Sequence, residues 1–269
     1  MEPNKRPIGV FDSGLGGLTC MRELMRVLPH EDIIYLGDTG RVPYGTRSND
    51  TIIKYTMQDI AFLTKFDVKY IVIACGTVSS VALDHIDKSG LCPIVGVVDS
   101  AVGAALAATK AGRIGVLGTP ATIASGSYVQ KLKAKADVEV IPNACPLFVP
   151  LVENGYTQKD NPVLRLVAQE YLAPLLAAKV DTIILGCTHY PLLKDAIAQL
   201  CPNITLIDVG QQAARNVSHA LAASGLAASE GEGQYRFYVT DTTENFAHYG
   251  SLFLNQPIRG CVERVELGG

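Results

Sequence analysis

Short apolar runs rich in β-branched residues alternate along the chain with stretches whose apolar residues recur every three or four positions. The runs cover residues 8–11, 33–36, 70–74, 94–98, 114–117, 138–141, 182–185 and 204–207. Each has the length of a strand buried on both faces, and the stretches between them have the length of a helix. This alternation predicts βα units and parallel sheet, an α/β fold. The first helical stretch shows the pattern, with Leu18, Met21, Met25 and Leu28 on one face and Pro29 ending it. That stripe reads as core.

Comparison of the chain with itself adds a second level. Pro7-Ile8-Gly9-Val10-Phe11 is echoed by Arg113-Ile114-Gly115-Val116-Leu117, 106 residues later. Tyr70-Ile71-Val72-Ile73-Ala74-Cys75-Gly76-Thr77 is echoed by Thr182-Ile183-Ile184-Leu185-Gly186-Cys187-Thr188, with the cysteines 112 apart. Two blocks repeated in the same order predict two similar parallel-sheet α/β domains related by a pseudo-two-fold axis, with a cysteine on each wall of the cleft between them. Residues 225–233 read as a small, polar loop. Residues 234–240 alternate like an antiparallel edge strand, expected to complete the first sheet. The first domain is then discontinuous, residues 1–97 plus 208–269, and the second is residues 98–207.

Composition narrows the function. The 269 residues are 48% apolar and 18% charged, with a net charge of −3, no Trp and no run of interleaved aromatic and basic residues. Such a chain has no electrostatic means of coating a phosphate backbone or an anionic membrane, so neither nucleic acid nor membrane is an expected partner. No stretch approaches the roughly 18 uninterrupted apolar residues of a membrane span, and the N-terminus reaches Asp12 before any apolar run of signal-peptide kind develops, so no export is expected. Seven cysteines form an odd set without a CxxC pair, which fits neither a disulfide framework nor a zinc ribbon. A reducing cytoplasm is the expected compartment.

Four segments fall just past predicted strands, where open parallel sheets place their ligands: Asp12-Ser13-Gly14, Pro43-Tyr44-Gly45, Cys75-Gly76-Thr77 and Cys187-Thr188-His189-Tyr190-Pro191. Asp12-Ser13-Gly14-Leu15-Gly16-Gly17 allows a sharp turn into a helix whose free N–H groups can hold an anion. Alone it reads as a helix cap with a glycine turn. Its glycine spacing is not that of a dinucleotide site, it lacks the lysine of a phosphate-binding loop, and no lysine stands where a pyridoxal enzyme needs one. No cofactor is expected. Cys187 and His189 lack further ligands at metal-binding spacing, so no metal is expected either.

Cys75 taken singly is a small hydrophobe at a strand end. Cys187 has more around it: Thr188 to cap the next helix, His189 to share a proton, and Pro191 suited to a first helical turn. Cys20, Cys92, Cys145, Cys201 and Cys261 read as packing residues, and His30, His85, His219 and His248 as surface residues. Glu153-Asn154-Gly155 reads as a helix end and turn whose carboxylate has a lesser claim on the cleft. Two opposed thiols suit inversion of a carbon stereocentre, where one face needs a base, the other an acid, and the roles exchange in reverse. A thiol pKa of about 8.5, lowered by a helix end or a histidine, leaves both forms accessible. Ser13, Thr77 and Thr188 would anchor carboxylates and Asp12 would hold a cation or tune Cys75, which makes the ligand small, polar and anionic.

The blocks Asp12 to Leu18, Val42-Pro43-Tyr44-Gly45, Ala74-Cys75-Gly76-Thr77 and Gly186-Cys187-Thr188-His189-Tyr190-Pro191-Leu192 closely resemble the motifs of the glutamate racemases, in order and spacing. The resemblance implies a cofactor-independent, usually dimeric enzyme that interconverts L- and D-glutamate for peptidoglycan synthesis between two α/β domains. Cys75 would take the α-proton of the D isomer with help from Asp12, and Cys187 that of the L isomer with help from His189. Substrate contacts would come from Asp12-Ser13, Pro43-Tyr44-Gly45, Gly76-Thr77 and Thr188-His189, and Glu153 aligns with a further acidic residue. One position departs: the family places Asn after the first cysteine, and here Gly76 stands there. A lost hydrogen bond to a charged group costs about 1.5–3 kcal/mol. Three readings follow: a glutamate racemase, a racemase of another small amino acid such as aspartate with room opened at Gly76, or a racemase-like binding or regulatory protein.

Overall fold

The structure is a computed structural model that describes residues 4–258 and 261–268, with the side chains of Asn245 and His248 outside the description. The expectation for His248 therefore lies outside the described residues. The chain begins β1 (Ile8–Asp12), α1 (Leu18–Val27), β2 (Ile33–Gly37), α2 (Asn49–Thr64), β3 (Tyr70–Ile73), α3 (Gly76–Val81), β4 (Ile94–Gly96) and α4 (Val97–Ala108). It continues with β5 (Arg113–Gly118), α5 (Pro120–Ala124), α6 (Ser127–Lys133), β6 (Glu139–Ala144), α7 (Phe148–Glu153), α8 (Pro162–Ala177) and β7 (Thr182–Leu185). A 3₁₀ turn (Tyr190–Leu193), α9 (Lys194–Leu200), β8 (Thr205–Asp208), α10 (Val209–Ala223), β9 (Tyr235–Val239), α11 (Thr243–Leu254) and β10 (Val262–Arg264) complete it.

The strands form a six-stranded sheet, β10-β9-β2-β1-β3-β4, and a four-stranded sheet, β6-β5-β7-β8, both parallel throughout. Stripped of β9 and β10, the two have one connectivity: the first strand of each half pairs with the second and third, and the third with the fourth. The sequence repeat survives down to register, since Ile8 lies opposite Tyr70 and Ile114 opposite Thr182. Cys75 and Cys187 consequently stand at the same place, two residues past β3 and β7. Helices α1, α10 and α4 pack together between the sheets, and the larger apolar cluster runs through them from Val10 and Leu18 to Val116 and Ile184. Leu18 and Met21 are fully buried, Leu28 nearly so, and Met25 packs against the same cluster.

The structure corrects the sequence reading in several places. The run at 94–98 is strand only to Gly96, because the Ser79 hydroxyl accepts the Val98 N–H at 3.2 Å and starts α4. The run at 234–240 joins the first sheet as expected but is neither antiparallel nor at its edge: β9 runs parallel to β2, and β10 lies outside it. Gln234 accepts the Ile33 N–H at 2.9 Å, so β9 begins at the same end of the sheet as β2. Both faces of β9 are covered, Phe237 meeting Tyr35 and Phe246 on one side and Tyr238 meeting Phe62 and Phe66 on the other. Aromatic residues at successive positions thus mark a strand buried on two sides. Cys261, read as a packing residue, is exposed.

The connection from α10 to β9 is clasped rather than loose. Lys69, fully buried, sets its Nζ 2.5 Å from Glu31 Oε2 and donates to the carbonyls of Asn4 (2.9 Å) and Leu226 (2.8 Å). Glu31 Oε1 in turn accepts the Ala228 N–H at 2.8 Å. The buried charges are held by each other and by these main-chain hydrogen bonds, which tie four chain segments to one another. Among the described residues no helix is long and apolar enough to cross a membrane.

Candidate active site

The carboxyl ends of β1, β3, β5, β6 and β7 converge on a cavity of about 370 Å³. Ser13, Pro43, Tyr44, Gly45, Cys75, Gly76, Thr77, Glu153, Cys187, Thr188 and His189 all line it. Asp12, 1% exposed, lies beneath that lining, and Tyr190 and Pro191 of the fourth segment are not part of it either. Both thiols therefore face one void, with one sheet behind each.

The walls differ in charge. Cys75 Sγ donates to Ser13 Oγ at 3.5 Å, and burial pushes its pKa up to about 12, with the Asp12 charge adding to the effect. The Ser13 contacts and the Val78 N–H pull the other way and are outweighed. Cys75 is thus a thiol near neutrality. On the opposite wall His189 Nδ1 lies 3.8 Å from Cys187 Sγ, while Nε2 lies 3.1 Å from Glu153 Oε1. Burial of the ring disfavours its charge, yet the hydrogen bonds and charges of Cys187 and Glu153 overcome this and raise His189 to about 10. An imidazolium then faces the Cys187 sulfur. The ring is braced edge-on against Phe253, with centroids 5.2 Å apart.

This has a measurable consequence for stability. The folded chain holds the His189 proton more tightly than an unfolded chain, whose imidazole titrates near 6.5, so the folded pKa is the higher of the two. The stabilisation is complete below about pH 6.5 and is lost as pH rises through about 10. Thermal melts of the wild-type chain and His189→Gln are expected to differ most at pH 6 and to converge above pH 10. A gap that widens with pH would contradict the arrangement.

Asp12 joins the two halves instead of bonding to Cys75. Its Oδ1 accepts the Gly14 N–H at 2.8 Å and its Oδ2 the Thr188 hydroxyl at 3.3 Å. Burial raises its pKa against the opposing pull of the His189 charge, the Gly14 and Gly17 N–H groups and Thr188. Thr188 was expected to cap a following helix, but the 3₁₀ turn at Tyr190–Leu193 starts without a side-chain cap. Its hydroxyl is drawn to Asp12, and its carbonyl accepts from Thr19 Oγ1 at 2.8 Å. The glycine run has a packing role here: a Cβ at Gly16 would overlap Thr188 Oγ1 and His189 Nδ1. Only bare backbone lets α1 begin against the Cys187 turn.

The model of the Asp/Glu/Hydantoin racemases matches residues 8–217, which includes both cysteine turns. The chain belongs to that family. The chain is 43% identical over 265 residues to a glutamate racemase of Geobacter metallireducens, covering 97% of each chain. It superposes on a glutamate racemase of Francisella tularensis, solved in complex with D-glutamate, with a TM-score of 0.91, 40% identity and 98% of each chain covered. An aspartate racemase of Picrophilus torridus shares the fold at a TM-score of 0.59 and 16% identity, over 82% of this chain and 94% of that one.

Within this racemase fold some lining residues escaped the sequence reading. Thr119 meets Thr77 hydroxyl to hydroxyl at 3.0 Å, and it caps α5 by accepting the Thr122 N–H at 3.2 Å. The Thr119-Pro120 pair past a strand was a visible signal, since threonine followed by proline marks a helix start. Cys145 was read as packing and is buried, yet it lines the cavity directly past β6. Ending that strand at 141 hid it. The side of Gly76 where room was expected is filled: a Cβ there would overlap the Gly186 carbonyl oxygen. Among the described residues no group of three His, Cys, Asp or Glu side chains is arranged to hold a metal ion.

Proposed function

We propose that this chain interconverts L- and D-glutamate by passing protons between Cys75 and Cys187, and that the D isomer supplies peptidoglycan synthesis. The observation that carries this reading is the single cavity shared by two thiols at equivalent ends of two equivalent strands. The complex of the Francisella relative with D-glutamate supports the choice of substrate. Residues 1–97 with 208–269 and residues 98–207 are the two bodies that close over it.

In this mechanism Cys187, faced by the His189 imidazolium, removes the α-proton of L-glutamate. Cys75, a thiol at rest, delivers a proton to the opposite face. The reverse reaction exchanges the roles. The hydroxyls of Ser13 and Thr77, with the main-chain N–H groups past β1 and β3, hold the carboxylates and stabilise charge that spreads from the α-carbon. Glu153 keeps His189 charged and oriented, and Asp12 holds Thr188 and tunes Cys75. The thiols carry the protons themselves, so the chemistry calls on no cofactor.

In deuterated buffer, purified protein given L- or D-glutamate is expected to replace the α-proton in the NMR spectrum while optical activity decays to zero. Aspartate run in parallel is expected to exchange far more slowly. Absence of exchange with either glutamate isomer overturns the proposal, and faster exchange with aspartate reassigns the substrate.

A further inference from the structure

Tyr44 lines the cavity, yet its hydroxyl points away from it, into a buried cluster that the reaction does not use. Tyr44, Asp38 and Asp59 are at most 1% exposed. The Tyr44 hydroxyl donates to Asp38 Oδ2 and lies 3.5 Å from Asp59 Oδ2. Arg41 spans the two carboxylates, with Nε 2.5 Å from Asp38 Oδ2 and Nη2 3.2 Å from Asp59 Oδ1. Its guanidinium stacks over the Tyr55 ring, 4.1 Å from the centroid. Asp38 also accepts from Thr240 Oγ1 at 2.8 Å, and its own N–H donates to the Asp12 carbonyl at 3.0 Å. The cluster is therefore bonded to β1, α2 and the residue after β9, and its loop carries residues 42–46 onto the cavity wall.

We propose that Asp38, Arg41, Tyr44 and Asp59 form a positioning unit that holds the 42–46 segment against the substrate, so that Tyr44 contributes through its ring and main chain and not through its hydroxyl. This rests on the racemase reading above. Two buried carboxylates facing one guanidinium leave a charge unmatched, and a proton on Asp59 resolves it. Burial and the neighbouring Asp38 hold that proton, with Asp12 adding, against Arg41 and Tyr44. The charged or titratable groups facing Asp59 are thus Asp38, Arg41, Tyr44 and Asp12. A carboxylic acid in this place can donate where a carboxylate cannot, which keeps the four groups together.

The test separates binding from turnover in Tyr44→Phe and Asp59→Asn, each first checked for a native circular-dichroism spectrum and cooperative melt. Tyr44→Phe is expected to raise KM for both glutamate isomers about tenfold, the worth of one buried hydrogen bond, with kcat within about twofold. In the wild type, KM is expected to climb at high pH as Asp59 loses its proton and the segment loosens. Asp59→Asn, which mimics the neutral acid, is expected to lack that rise. An unchanged KM in Tyr44→Phe, a loss confined to kcat, or an identical alkaline rise in Asp59→Asn overturns the proposal. A wild-type protein without exchange on glutamate would instead defeat the racemase reading, and the two failures are distinct.

Discussion

Cys75→Ala and Cys187→Ala are each expected to lose about 10²- to 10⁴-fold in kcat/KM for racemisation, and to lose it equally in both directions. The equality follows from thermodynamics. Enantiomers have the same free energy, so their interconversion has an equilibrium constant of one and kcat/KM must match in the two directions for any variant. Removing the base for the L isomer also removes the acid for the D isomer, so neither direction survives alone. Where the walls differ is in how kcat and KM share that common ratio. Cys75 rests as a thiol because burial raises it to about 12, whereas Cys187 rests beside an imidazolium. The D isomer therefore meets a protonated base at Cys75, which must give up its proton before it can act. Polarimetry with each isomer over a range of concentrations checks both statements. A single-cysteine variant within tenfold of wild type in kcat/KM would show that the second thiol is not an obligatory proton carrier.

Much of this arrangement was legible in the residues. The repeated blocks predicted two similar parallel sheets, and the structure reproduces the repeat as identical pairings, Ile8 with Tyr70 and Ile114 with Thr182. Local pattern carries this because strands buried on both faces are apolar runs and their order follows from right-handed crossovers. The failures have a common physical origin. β9 was misjudged because alternation along one strand does not reveal what covers its second face, here Phe62 and Phe66 from α2 and the turn after it. Thr188 was misjudged because a hydroxyl that suits a local cap found a carboxylate from the other half of the chain, at a separation in sequence that no local rule spans.

The candidate site divides along the same line. Residues past strand ends were found because parallel sheets present their carboxyl ends to ligands, and ten of those named above stand around the cavity with Glu153 from the end of α7. What each side chain faces was not legible. The resemblance implied Tyr44 as a substrate contact, and the fold, which keeps it in the lining, turns its hydroxyl to Asp38. Glu153 had the weaker claim in the sequence and stands 3.1 Å from His189 Nε2. His189 and Glu153 meet because α7 is packed beside the 3₁₀ turn, a tertiary fact.

Gly76→Asn is expected to lower activity on glutamate, although asparagine is the residue that the resembling family carries there. In this chain the first residue of α3 and the end of β7 come together backbone to backbone, and a Cβ at position 76 would overlap the Gly186 carbonyl oxygen. A carbonyl fixed by the β7 turn is not the end of a flexible side chain. Its own N–H is bonded to the Leu117 carbonyl at 2.8 Å, so the overlap is relieved only by moving one cysteine turn away from the other. Overpacking of this kind costs about 1–3 kcal/mol of stability. The displacement acts directly on the two sulfurs, and a misplacement of about 1 Å at reacting groups costs on the order of 10²-fold in rate. Gly76→Ala isolates the wedge from the amide: it adds the Cβ and nothing else, and its loss is expected to match that of Gly76→Asn. If alanine were harmful and asparagine restored or exceeded wild-type turnover, the amide would be worth more than the displacement. If both variants matched wild type, the contact between Gly76 and Gly186 would not belong to the state in which the proton moves.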